Sequence, residues 1–222
     1  MLRPRKRITK REIKEDTLVT VYVRVQRFIQ NYSKQFNIGI FVIVAIAVIG
    51  IFMIRSKKKA ELVAAGKLGI AEQFYYASNY ARAIDELVKI ADTYSGTNAA
   101  GSAVFFVANS YFSTGDYDNA EKYYKIYLKD YSKSKLFTAS SLAGVAACLD
   151  SKKRYDDAAK LYENAGKKYR DLFVAPFYLK DAGRCYTLSG DKEKAKEVYK
   201  YILKKYPKFT MRQQINFLLN SL

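Results

Sequence analysis

The groups able to do covalent or acid–base chemistry in this 222-residue chain are two cysteines, 21 carboxylates and 20 tyrosines, because histidine does not occur. Without imidazole there is no Ser-His-Asp or Cys-His nucleophile, no His-containing zinc site and none of the commonest general base. Cys148 and Cys185 stand 37 positions apart, too few for a four-thiolate metal site and too sparse for a disulfide framework. Asp85, Glu86, Glu121, Asp156, Asp157, Glu193 and Glu197 fall where a solvated helix face or a turn explains them, and none stands out as an acid–base pair. Neither catalysis, a cofactor nor a bound metal is expected. Recognition is the chemistry that remains.

Residues 38–54 read IGIFVIVAIAVIGIFMI, 17 positions without a charge or a hydroxyl, or 19 with Phe36 and Asn37. A helix of that length spans roughly 26–28 Å, close to the hydrocarbon thickness of a bilayer. Apolar residues occupy every face, which disfavours a soluble core helix. Arg55, Lys57, Lys58 and Lys59 follow where a cleavable signal would place small residues. A retained transmembrane helix over 36–54 is expected.

Its orientation depends on which charges are counted. The preceding tail, residues 1–35, holds ten basic residues against three acids, a net +7 that resists crossing a membrane. Close to the ends, however, Arg24, Arg27 and Lys34 face a larger C-side group of Arg55, Lys57, Lys58, Lys59 and Lys67. Long domains translocate largely regardless of charge, so the whole tail carries more weight. The expectation is a cytoplasmic N-terminus and a folded domain outside. RPRKR at residues 3–7 reads as topogenic or lipid-attracting charge rather than a nucleic-acid patch. Leu18, Val21, Tyr22, Val25, Phe28, Ile29, Tyr32 and Phe36 fall on one side of an interfacial helix, with a short strand through VTVYVRV as the alternative.

Beyond a basic linker at 55–63, one pattern recurs four times. Ala83, Ala120, Ala158 and Ala195 stand at intervals of 37, 38 and 37, and Tyr94, Tyr131, Tyr169 and Tyr206 repeat the same intervals. Turns such as Ser113-Thr114-Gly115-Asp116 and Ser189-Gly190-Asp191 end one helix and cap the next. The alanine lets two antiparallel helices approach, and Leu87, Tyr124, Tyr162 or Tyr199 fills the seam one turn later. A hairpin of this size cannot bury enough apolar surface alone, so the copies must stack. The expected fold is all-α: a helical-hairpin solenoid of about four repeats over 64–210, behind one transmembrane helix, with a capping helix at 211–222.

These residues resemble the tetratricopeptide repeat. Its small residue, aromatic, Gly-Asp turn, alanine and terminal proline appear as Ala108, Tyr111, Gly115, Asp116, Tyr117, Ala120 and Tyr124, and again as Gly183, Tyr186, Gly190, Asp191, Ala195, Tyr199 and Pro207. The longer period and the single N-terminal anchor are similar to the bacterial envelope family that includes the ancillary subunit of the SecYEG translocon. That resemblance implies an inner-membrane protein whose periplasmic repeats meet translocon, chaperone or envelope-protein partners.

The resemblance also carries the family's groove positions onto Glu72, Tyr75, Phe105, Asn109, Phe112, Asp150, Lys180 and Arg184. The aromatics would hold apolar side chains, Asn109 would clamp a peptide backbone through both amide groups, and Lys180 and Arg184 would hold a carboxylate. Packing is the stronger reading for Tyr75, Phe105 and Phe112, and Asp150 also reads as a turn cap. Cys148 and Cys185 share one position of adjacent repeats, too far apart for a disulfide, and read as buried small residues. The 29 bases and 18 acids beyond the tail place lysines such as Lys122, Lys125 and Lys129 on second helices, a solvating pattern that gives no expectation of nucleic acid. A membrane-tethered protein adaptor is the reading that follows, with a structural scaffold subunit as the alternative.

Overall fold

Apolar residues at three- and four-residue spacing dominate the described residues, 17–222 of this computed structural model, and they form ten α-helices with no strand among them. The basic cluster at residues 3–7 lies outside the described residues. Two compact units divide the chain, one ending at Ser56 and one comprising Lys57–Leu222.

In the first unit, α1 (Thr17–Asn31) is helical through VTVYVRV, so the strand alternative is not adopted. The spacing of Val21, Val25, Phe28, Ile29 and Tyr32 along one side outweighs the local β-branched alternation, and Phe28 meets Tyr32 one turn on at 4.9 Å. The next helix, α2 (Ser33–Tyr76), contains the whole apolar stretch. It is the one helix among the described residues long and apolar enough to cross a membrane, and its most apolar window has no buried residue. Residues 55–63 are part of this helix, where a linker was expected.

The second unit is built from the end of α2 with α3 (Tyr80–Thr93), α4 (Asn98–Ser113), α5 (Tyr117–Asp130), α6 (Lys135–Ser151), α7 (Tyr155–Lys168), α8 (Ala175–Ser189), α9 (Lys192–Lys205) and α10 (Arg212–Asn220). From α3 onward each helix packs on the next, and α4 also touches α6. First helices therefore line one side of the stack and second helices the other. The helix α10 closes the end, burying Ile215 completely against the array. Glu61 ties the start: its carboxylate accepts the Asn98 and Ala99 amides at 2.6 and 2.9 Å, holding two of the free donors at the start of α4.

Four equivalent turns set the hairpin geometry. The amides of Asn79, Asp116, Arg154 and Asp191 each donate to the carbonyl five residues back, of Phe74, Tyr111, Leu149 and Tyr186, all at 2.9 Å. This closure needs a left-handed residue just before the cap. Gly115 and Gly190 supply it at φ +81° and +90°, but Ser78 and Lys153 occupy the same place in the other two copies at +58° and +61°. Non-glycine residues pay about 1–2 kcal/mol for that conformation. Asn79, Asp116 and Asp191 then cap the following helix with a side-chain oxygen, whereas Arg154 makes no cap bond. The third copy lacks both devices. Replacing Lys153 and Arg154 by Gly and Asp is expected to raise unfolding free energy by about 1–2 kcal/mol in urea titration, through relief of strain and a new N-cap.

Ala83, Ala120, Ala158 and Ala195 have no solvent exposure, which places the expected alanines at the helix contacts. Tyr124 reaches the next hairpin as expected, and its ring lies where a Cβ on Gly144 would come within 2.4 Å. Tyr199 departs from that pattern. Its ring fills the space beside Gly183 on α8, inside its own hairpin. Gly144→Ala should therefore lower stability by about 1–3 kcal/mol, because the buried Tyr124 ring has nowhere to move. Gly66→Ala, at a helical position with nothing within 4 Å of the added atom, should raise it by up to about 1 kcal/mol. The pair, compared by thermal unfolding, separates close approach from helix propensity.

Candidate functional site

The intervals of 37, 38 and 37 bring side chains of successive first helices into rows. Glu72, Asn109 and Arg184 share one position, Tyr75, Phe112 and Asp150 a second, and Phe105 and Lys180 a third. Their surroundings differ widely.

Glu72 is half-buried on α2 and, among the described residues, in no ion pair; burial raises its carboxyl above the usual range. Tyr75 packs edge-on against Phe106 at 5.1 Å and Tyr80 at 5.8 Å. Burial first, then the neighbouring phenols, raises its own phenol, opposed by the Asn109 side chain beside it. Asn109 does not have both amide groups free, because its Oδ1 accepts the buried Tyr124 hydroxyl at 2.6 Å. The Nδ2 group, which also faces the Tyr75 phenol, is what remains for a peptide carbonyl, so the expected two-sided clamp is reduced to one side. Phe112 is half-buried against Tyr117 at 5.4 Å.

Phe105 is not a groove residue. It is buried and stacks on Phe137 at 4.6 Å with an interplanar angle of 9°, with edge contacts to Phe106, Tyr124 and Tyr127. This is the packing reading of Phe105, and it removes Phe105 from the row it shares with Lys180, because the short aromatic turns into the α4–α6 seam.

The basic pair of the fourth copy is also occupied. Asp150 of α6 accepts both terminal nitrogens of Arg184, one of them at 3.3 Å, and this hydrogen bonding raises the guanidinium's pKa. Lys180 lies 3.4 Å from Asp181, whose carboxyl is raised by burial and lowered in turn by Lys180 and Arg184. Two acids and two bases neutralise each other here. Asp150 therefore holds Arg184 rather than capping a turn, and a ligand carboxylate would have to displace it.

Sequence reasoning missed the polar links between copies, among them the Ser140–Tyr178 hydroxyl contact at 2.9 Å and the Lys152 ammonium between Asp118 and Glu121 at 2.5 and 2.9 Å. Each joins residues more than 30 positions apart with no local signal. Cys148 and Cys185 are free and fully buried, and desolvation pushes both thiols up to about 12, so neither is a reactive thiolate. Lysines on the second helices pair within their own helix, as Lys125 with Glu121 at 2.5 Å and Lys160 with Asp156 at 2.6 Å.

The sequence pattern of the tetratricopeptide repeat-like domain matches residues 26–222. The chain belongs to this family. No curated protein matches it. Among solved structures it is similar to a Podosopora anserina putative kinesin light chain with nearly identical tetratricopeptide-like repeats, at 13% identity and a TM-score of 0.57, covering 70% of this chain and 83% of that one. A point variant of that protein gives 13% identity and a TM-score of 0.58, with 70% and 82% covered. At such identity the likeness establishes the fold: a tetratricopeptide-type solenoid. Tetratricopeptide-repeat arrays are protein–protein interaction modules, and the rows of first-helix side chains are this array's candidate binding face.

A raised folded-state pKa means that the folded state disfavours the charged form of Glu72. Above its folded pKa the charge is a cost, and below its unfolded pKa the residue contributes nothing. Glu72→Gln should therefore be more stable than the parent at neutral pH, and the gap should close as pH falls through the carboxyl range. Urea midpoints across that range provide the measurement.

Proposed function

We propose that this chain is a membrane-anchored tetratricopeptide-repeat adaptor of the bacterial inner membrane, capturing protein partners in secretion, envelope assembly or periplasmic chaperone handover. Residues 38–54 serve as the anchor, the N-terminus lies in the cytoplasm, and the repeats lie in the periplasm, where translocon, chaperone or envelope proteins reach them. One observation carries the reading: the family match runs from residue 26 and so takes in the apolar stretch together with the repeats. The basic tail supports the orientation.

On this reading the first two copies do the binding. Glu72, the Asn109 amide and Phe112 offer an acceptor, a donor and an apolar surface to an extended segment, while Arg184 and Lys180 are already engaged. That internal neutralisation favours a second reading, a structural scaffold that uses its second helices.

Two measurements test this. Protease added to cells with a permeabilised outer envelope should digest the repeats and leave a protected fragment ending near Ser56; a protected repeat unit would sink the periplasmic assignment. A photo-crosslinking residue in place of Glu72 or Phe112 should yield partner adducts in native membranes, and one in place of Lys125 should not. Adducts confined to position 125 would favour the scaffold reading.

A further inference from the structure

Each turn from a second helix to the next first helix adds to one edge of the array, and two grooves open along that edge. Between the first and second of these turns the groove is about 240 Å³ and is bordered by Thr97, Asn98, Asp130 and Ser134 among other residues. Between the third and fourth it is about 440 Å³ and contains no acidic residue in its lining. Phe173, Phe177, Pro207 and Phe209 form its apolar walls, and Lys205 and Lys208 stand at its rim.

This groove is preformed. Phe177 and Phe209 meet edge to face at 5.0 Å, and the Tyr206 hydroxyl donates to the Arg170 carbonyl at 2.9 Å, joining its two walls. Phe173 leaves 74% of its surface in solvent, as Phe217 does at 72%, but Phe173 stands in a patch with Phe177, Pro207 and Phe209. Elsewhere in the repeat unit, lysines such as Lys89, Lys125, Lys160, Lys167 and Lys196 pair with carboxylates on their own helices. Lys204, Lys205 and Lys208 have no such partner among the described residues, a condition they share with Lys122, Lys129 and Lys200; what sets Lys205 and Lys208 apart is the acid-free apolar groove they border, with the nearby Asp171 beside Arg170.

From this juxtaposition we infer that the groove between the third and fourth inter-repeat turns docks an acidic protein segment, which places an apolar or aromatic side chain between Phe173, Phe177 and Phe209 and its carboxylates on Lys205 and Lys208. The site is separate from the first-helix face and does not depend on the function proposed there. Phenylalanines ringed by lysine would also suit an anionic lipid surface. A recessed pair is reached by a side chain rather than by a flat bilayer, however, and Phe177 and Phe209 are half-buried in the groove. The unpaired rim charges supply complementarity and hence specificity for acidic over basic partners.

The chain has no tryptophan, so Phe173→Trp introduces a single reporter at the rim. The full-length variant in phosphatidylcholine nanodiscs is titrated with the peptide acetyl-EDFLEFDE-amide, and labelled peptide is followed by anisotropy against the unmodified chain. Expected are a saturable blue shift, binding at least tenfold weaker for acetyl-KKFLKFKK-amide, and a similar loss with Lys205→Glu plus Lys208→Glu. Lys122→Glu plus Lys129→Glu, a charge-matched change on the exposed side of α5, should leave the affinity unchanged. Equal binding of both peptides, or none, overturns the proposal. So does an equal loss with the Lys122 and Lys129 pair, which would make the binding a property of the general basic surface. A tryptophan quenched by brominated phosphatidylglycerol without peptide would assign the groove to lipid and overturn it likewise.

Discussion

How closely two helices can approach is the constraint on which the repeat unit depends. Four alanines without solvent exposure allow the contact within or between hairpins, and glycines at 144 and 183 leave the space that tyrosine rings occupy. Because each ring is larger than any aliphatic residue at that place, the gap and its filling specify each other. Buried tyrosines also carry hydroxyls that must be satisfied. Tyr124 finds Asn109 and Tyr186 finds Glu163, at 2.6 Å in both cases, so the same residues that fill the seam also orient polar groups at its edge. The seam and the candidate binding face are thus one construction, and neither can be altered without the other.

Much of this was legible in the sequence because the repeat writes the same message four times. Alanine and tyrosine at fixed intervals gave the hairpins, the Gly-Asp pairs gave two of the four turns, and an unbroken apolar run gave α2. What escaped depended on the reach of individual side chains. Phe105 and Lys180 share a register position, and packing was legible for Phe105, but not that its partner is Phe137 or that Lys180 pairs with Asp181. Asp150 and Arg184 belong to different rows in different copies, so their pairing is visible only when the helices are stacked. Register locates a Cα atom well; it says little about where a long side chain finds its partner.

The copies are consequently alike in backbone and unlike in surface. Turn closure at 2.9 Å in all four shows that the hairpin tolerates serine or lysine where glycine is easiest, provided that the packing beneath is kept. The exposed positions diverge freely over that constant frame. Acid and amide groups lie on the first two copies, a neutralised cluster on the last two, and an aromatic groove beside the final turn. A single array therefore presents several chemically distinct surfaces to protein partners, which is the practical advantage of a repeat scaffold for an adaptor.

The bond from Glu61 to the start of α4 has a further consequence, for the order in which the chain can fold. It spans 37 and 38 positions, the Ser140–Tyr178 contact spans 38, and no side-chain hydrogen bond among the described residues reaches further. Every link in the array is thus closed within about one repeat of chain. Low sequence separation makes closure fast and keeps the entropic cost of each step small. As the chain emerges from the ribosome, each hairpin can dock as soon as the helix after it is free. Folding can nucleate at any hairpin and spread to its neighbours, because each seam needs only the adjacent copy.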